Sequence, residues 1–195
     1  MTENEKQTRL SFNFYLKILL IAAFPIHLWS LLMIFRDLEF VSERTEMWDA
    51  VGYAGYALML ALVESMLVAL IIWGLSFVLP KKWTTSRTFT VIASLYLILA
   101  GASIADMAFH AFNEVRISKQ YLYGLATYPT LTYALIAGAI VVASVIVVIL
   151  IHKSEKFEKA VSEIYERFTL LSYFYLVMDV IGIIIVIVRN VSESL

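Results

Sequence analysis

Residues 131–151 read LTYALIAGAIVVASVIVVILI, a run without one Asp, Glu, Lys, Arg or His. At ~1.5 Å rise per residue, such a helix covers the ~30 Å of a bilayer's hydrocarbon core. The same texture recurs four more times along the chain. Apolar runs occupy about 15–35, 51–79, 89–112 and 169–188, with the charges crowded between them. The predicted fold is therefore all-α: a polytopic integral membrane bundle of about five transmembrane helices. A short polar N-terminal tail, 1–14, and a C-terminal tail, 189–195, flank a single membrane domain over 15–188.

Composition agrees. Of 195 residues, 61% are apolar and only 16% charged, against about 45–50% and about 25% in soluble domains. The net charge of −1 argues against a nucleic-acid partner. The absence of cysteine excludes disulfides, thiolate catalysis and Cys-ligated metals.

The first span is too long for a signal-peptide core, and no small-residue cleavage site follows it, so it is expected to be retained. Pro25 inside it predicts a kink. The second span, closed by Pro80, could reach ~43 Å as a helix, with the excess absorbed by tilt or protrusion. Between the fourth and fifth spans, residues 153–168 read as a short amphipathic cytoplasmic helix. Phe157, Val161, Ile164 and Phe168 form its apolar stripe, with Ser154 as N-cap. Acids and bases nearly balance there, which favours a connector packed on the bundle over a lipid-gripping helix.

Lys and Arg set the expected orientation. Lys6, Arg9, Lys17, Lys81, Lys82, Arg87, Lys153, Lys156, Lys159 and Arg167 fall on one side of a five-span topology. Arg36, Arg44, Arg116, Lys119 and Arg189 fall on the other. Ten against five predicts a cytoplasmic N-terminus and an external C-terminus. The tyrosines of segment 113–130, Tyr121, Tyr123 and Tyr128, then suit the outer headgroup level. The phrases Phe24-Pro25-Ile26-His27 and Leu62-Val63-Glu64-Ser65-Met66 resemble ones in bacterial membrane proteins. The resemblance implies a prokaryotic plasma membrane and no particular function.

Three carboxylates fall inside spans: Glu64, Asp106 and Asp179. An acidic residue near a helix centre costs roughly 2.5–3.5 kcal/mol on insertion scales, so each is expected to face protein or water. Each belongs to a polar or small-residue stripe at helical spacing. These are Ala54, Ala57, Ala61 and Glu64; Ser103, Asp106, His110 and Asn113, with Gly101 and Ala105 beside them; and Ser172, Tyr175, Asp179 and Gly182. Ala23, His27 and Ser30 make a weaker fourth. The candidate proton, ion or helix-packing site is thus Glu64, Asp106, Asp179, His27, His110 and Tyr175. Glu64 and Asp179, each about half-way through its span, are expected to face the interior near the midplane. If they meet, like-charge repulsion favours their sharing one proton. Asp106 and His110 at i,i+4 could offer a metal two ligands, but a closed site needs more, so no metal or cofactor is expected.

No catalytic set emerges. There is no His-Glu-x-x-His pair, no Gly-x-Ser-x-Gly turn and no Walker loop. No Gly-x-Gly precedes Asp179 as in an intramembrane aspartyl protease, and no Lys lies deep in a span to carry retinal. The expected function is that of a non-enzymatic accessory or scaffold protein of the membrane. Its expected partners are the lipid bilayer and a membrane-protein partner or further copies of the chain. The alternative is a small channel or transporter passing protons or cations through the buried carboxylates.

Overall fold

The computed structural model describes residues 11–111, 123–124 and 127–193. Five long helices make up the described chain: α1 (Phe12–Ser42), α2 (Met47–Leu75), α3 (Thr85–Ala111), α4 (Pro129–Lys153) and α5 (Glu155–Glu193). All five are long and apolar enough to cross a membrane, and the chain is an all-α membrane helix bundle. Arg116, Lys119, Tyr121 and Asn113 lie outside the described residues.

Local chemistry explains the helix ends. The Ser11 hydroxyl accepts from the Phe14 N–H at 3.2 Å and caps α1. Asp49 sits in the first turn of α2, where the exposed N–H groups favour an anion. Pro129 begins α4, a position that needs no N–H. The Ser154 hydroxyl accepts from the Phe157 N–H at 3.2 Å, the expected cap.

Several boundaries differ from the sequence reading. α1 continues past Arg36 to Ser42, where Arg36 pairs with Asp37 at 2.7 Å. α2 starts and ends four residues earlier than its apolar run. After Leu75 the chain tightens into turns, with Phe77 N–H bonded to Gly74 O and Val78 N–H to Leu75 O. The amphipathic connector is not a separate helix. It is continuous with the fifth span in one 39-residue helix. No Gly or Pro interrupts 155–181, and Thr169 bonds back to the Tyr165 carbonyl at 2.6 Å, leaving the backbone ladder uninterrupted.

Cross-helix contacts fix the directions. Arg87 meets Glu158 at 2.9 Å and Ser94 meets Tyr165 at 2.7 Å, so α3 and α5 run parallel. The Phe24–Phe168 ring stack, centroids 4.4 Å apart, and the His27–Asp179 contact make α1 parallel to α5 as well. α2 is antiparallel to α5: Asp49 meets Arg189 at 2.7 Å, while Gly55 lies against Gly182. Trp83, before α3, lies beside His152 at the end of α4. The described chain therefore begins and ends at opposite ends of the bundle.

The core is concentrated toward the end where α1 begins. Six consecutive residues of α1, Ile18 to Ala23, are all buried, the mark of a helix surrounded on every side. Phe14, Ile18, Leu19 and Ala22 pack on Ala69 and Ile72 of α2 and Ile92 of α3. Ile21, Ala93 and Tyr165 form a second cluster. In α3 burial is confined to Thr88–Ser94, and in α4 to Ile151. Elsewhere the helices present Leu, Ile, Val and Phe outward, including Leu67, Ile71, Leu135, Val141 and Ile181. Water would not tolerate a surface of that extent; hydrocarbon does.

Candidate functional site

Proline shapes the site's first wall. Pro25 has no N–H to give the Ile21 carbonyl, and α1 continues through it. The next two carbonyls each accept a side-chain hydrogen. The Tyr96 hydroxyl of α3 donates to Ala22 O at 2.9 Å, and the His27 ring nitrogen Nδ1 lies 2.9 Å from Ala23 O.

His27 and Asp179 are the centre of the site. His27 Nε2 lies 2.8 Å and 3.0 Å from the two carboxylate oxygens of Asp179, and both residues are buried, at 0% and 1% exposure. The Tyr175 ring stacks on the imidazole, centroids 5.4 Å apart and planes within 6°. Phe24 and Phe168 stack beside it, and Phe24 also contacts Tyr175. The pair is walled by rings from the two helices it joins.

The proton arrangement follows from the acceptors. A carbonyl oxygen only accepts, so Nδ1 carries a hydrogen and donates it to Ala23. The Nε2–carboxylate link then holds one proton. It resides on nitrogen, making an imidazolium–carboxylate pair, or on oxygen, making a neutral imidazole and an acid. The two forms differ by a transfer across a single hydrogen bond and carry the same net charge. Either way both ring nitrogens and the carboxyl group are engaged.

Two buried hydroxyls on these faces are satisfied locally. Ser65, buried on α2, donates to Ala61 O at 2.7 Å, and Ser172 to Phe168 O at 3.0 Å. A small cavity among the described residues, lined by Ile18, Ile21, Ile72, Phe89, Ile92, Ala93 and Tyr96, is almost wholly apolar and about the size of one water molecule, ~10 Å³.

No protein-family model, curated protein or solved structure matches this chain. Its residues alone carry the functional argument.

The predicted site separates into three places. Asp179, His27 and Tyr175 come together as described, and the stripe of Ser172, Asp179 and Gly182 is buried as expected. Glu64 is not with them. It is exposed on the outer face of α2, which corrects the expected Glu64–Asp179 interior pair. The buried face of α2 runs through Leu58, Ala61, Ser65, Ala69 and Ile72, not through Ala54, Ala57 and Glu64. At ~100° per residue, Glu64 stands on the flank of that face. The α3 stripe is corrected too. Ser103, Asp106, His110, Gly101 and Ala105 are exposed, on the half of α3 beyond the core. Asp106 and His110 do meet, ring nitrogen to carboxylate at 3.9 Å, but both side chains are more than half exposed. Among the described residues no cluster of three or more His, Asp or Glu could hold a metal.

Sequence reasoning ranked the His27 stripe last, yet the depth match was readable. His27 stands 12 residues into the first expected span and Asp179 10 into the fifth, and both spans run the same way.

Proposed function

We propose that this protein is a non-enzymatic accessory or scaffold subunit of the membrane, in which the His27–Asp179 pair locks α1 to α5. The observation that carries this reading is the closure of the pair. Both ring nitrogens are bonded, the carboxyl group is bonded, and aromatic rings cover them. The Ser65 and Ser172 hydroxyls bond to their own helices, and the Tyr96 hydroxyl bonds to the Ala22 carbonyl of α1, each ending on a backbone oxygen. A site that passes ions needs hydrated groups leading toward it; these are committed to holding helices together.

The alternative, a small channel or transporter, rests on Asp179, the one of the three intramembrane carboxylates that is buried among the described residues. Flux separates the readings. The purified protein in liposomes is expected to pass no protons, Na⁺ or K⁺ above empty vesicles under a pH gradient or a membrane potential. A flux abolished by Asp179→Asn in a folded protein would overturn the scaffold reading. The same proposal places the N-terminus in the cytoplasm of a prokaryotic plasma membrane and the C-terminus outside. Its support is the ten-to-five division of Lys and Arg and the resemblance to bacterial phrases.

A further inference from the structure

Glu64 has no hydrogen-bond partner among the described residues and stands exposed in the middle of α2. Leu58 lies opposite Gly182. Counting six residues along the antiparallel pair puts Glu64 near the level of residue 176, about 5 Å in depth from Asp179. Eleven residues separate it from the nearer end of α2 at Leu75, a climb of ~16 Å that a Glu side chain cannot span. Among the described residues no ion pair reaches Glu64, and Arg189, Arg36 and Arg87 are paired with other carboxylates. The carboxyl group therefore looks for its partner outside this chain's own bundle.

The neighbours of Glu64 say what that partner is. Ala57, Leu60, Glu64, Leu67, Ile71 and Gly74 follow one another at 3, 4, 3, 4 and 3 residues. That alternation is the seam of a paired coiled coil, with one polar residue among apolar ones. Leu60, Leu67 and Ile71 are exposed at 58%, 56% and 63%, and nothing lies within 4 Å of where a Gly74 Cβ would stand. The seam is thus open from Leu60 to Gly74, with Ala57 half-buried at its end.

We infer that α2 pairs with α2 of a second copy of this chain, about a two-fold axis along the membrane normal, with Glu64 opposite Glu64 at its centre. Such an axis places identical residues at the same depth, so the interface must be self-complementary. A carboxyl group meets that condition where Lys or Arg would not. Protonated, it donates through O–H and accepts through its carbonyl, so two copies satisfy each other. A single polar residue in an apolar seam also sets register and stoichiometry. The dimer is independent of the scaffold reading: its failure would leave the His27–Asp179 lock in place, and liposome flux would leave the seam untouched.

The chain's lack of cysteine makes the test direct. Single cysteines are introduced at Leu60, Leu67 or Ile71, with Val141→Cys on α4 and Ile181→Cys on α5 as exposed controls, and intact membranes are oxidised. The seam positions are expected to give a disulfide-linked band of twice the chain mass, at least tenfold above the controls. Adding Glu64→Leu to Leu67→Cys is expected to lower that band severalfold, while Glu64→Gln, whose amide also donates and accepts, retains it. Equal cross-linking at the controls, indifference to Glu64→Leu, or a band joining this chain to a different polypeptide would each overturn the second-copy assignment.

Discussion

His27 Nε2 on α1 lies 2.8 Å from Asp179 Oδ1 on α5, although the two residues are 152 apart in sequence. This contact ties the first described helix to the last at about mid-depth, and the same imidazole is anchored to its own helix through Ala23. The pair is a three-point link: carbonyl, ring, carboxyl.

Removing one partner strands the other. Asp179→Ala is expected to destabilise the protein by about 3–5 kcal/mol, the usual cost of breaking a buried pair. Asp179→Asn keeps a donor for His27 Nε2 and is expected to cost only ~1 kcal/mol. The double replacement His27→Leu with Asp179→Leu is expected to recover most of the loss, since apolar replacement of a whole buried pair is often neutral. Unfolding titrations of the wild type, His27→Leu, Asp179→Leu and the double replacement in mixed micelles, read as a double-mutant cycle, check this. Additive losses would exclude a coupled lock.

α2 and α5 approach each other closely at two glycines. A Cβ on Gly182 would stand 3.1 Å from Gly55 O and from Leu58 Cβ; one on Gly55 would stand 3.2 Å from Gly182 O. Gly182→Val is expected to lose about 1–3 kcal/mol by forcing the helices apart. Gly138→Ala, where a Cβ would meet nothing within 4 Å, is expected to change stability by less than ~1 kcal/mol. Thermal melts of both variants in the same detergent decide it; equal losses would contradict the packing contact.

The Ser94–Tyr165 contact, at 2.7 Å, is the buried polar link between α3 and α5. Tyr165→Phe keeps the ring in its cluster with Ile21 and Ala93 and removes only the hydroxyl. Ser94 retains its bond to Thr90 O. The expected loss is ~0.6 kcal/mol and no more than ~1.7, the range for hydrogen bonds between membrane helices. A loss comparable to Asp179→Ala in the same titration would mean the hydroxyl does more than join two helices.

Five crossings with the N-terminus inside require an external C-terminus. Alkaline phosphatase fused after Leu195 is expected to be active and green fluorescent protein at the same position dark. The reverse pattern in a bacterial host would overturn the proposed orientation.

Helix number and type were legible in the sequence because they depend on local quantities. Five apolar runs of sufficient length, and few charges within them, admit no other secondary structure in hydrocarbon, where every backbone group must be bonded within its own segment. The cap at Ser154 and the stripe of Ser172, Asp179 and Gly182 were local for the same reason. Which face of each helix meets which neighbour is not a local quantity. The stripe at Ala54, Ala57, Ala61 and Glu64 had credible spacing, yet α2 turns Leu58, Ala61 and Ser65 inward, because Gly55 and Gly182 set the approach to α5. Lipid and protein interior are equally apolar, so hydrophobicity along α2 or α3 carries no inside or outside. Only the tertiary packing sent Asp179 inward to His27 and left Glu64, Asp106 and His110 facing out.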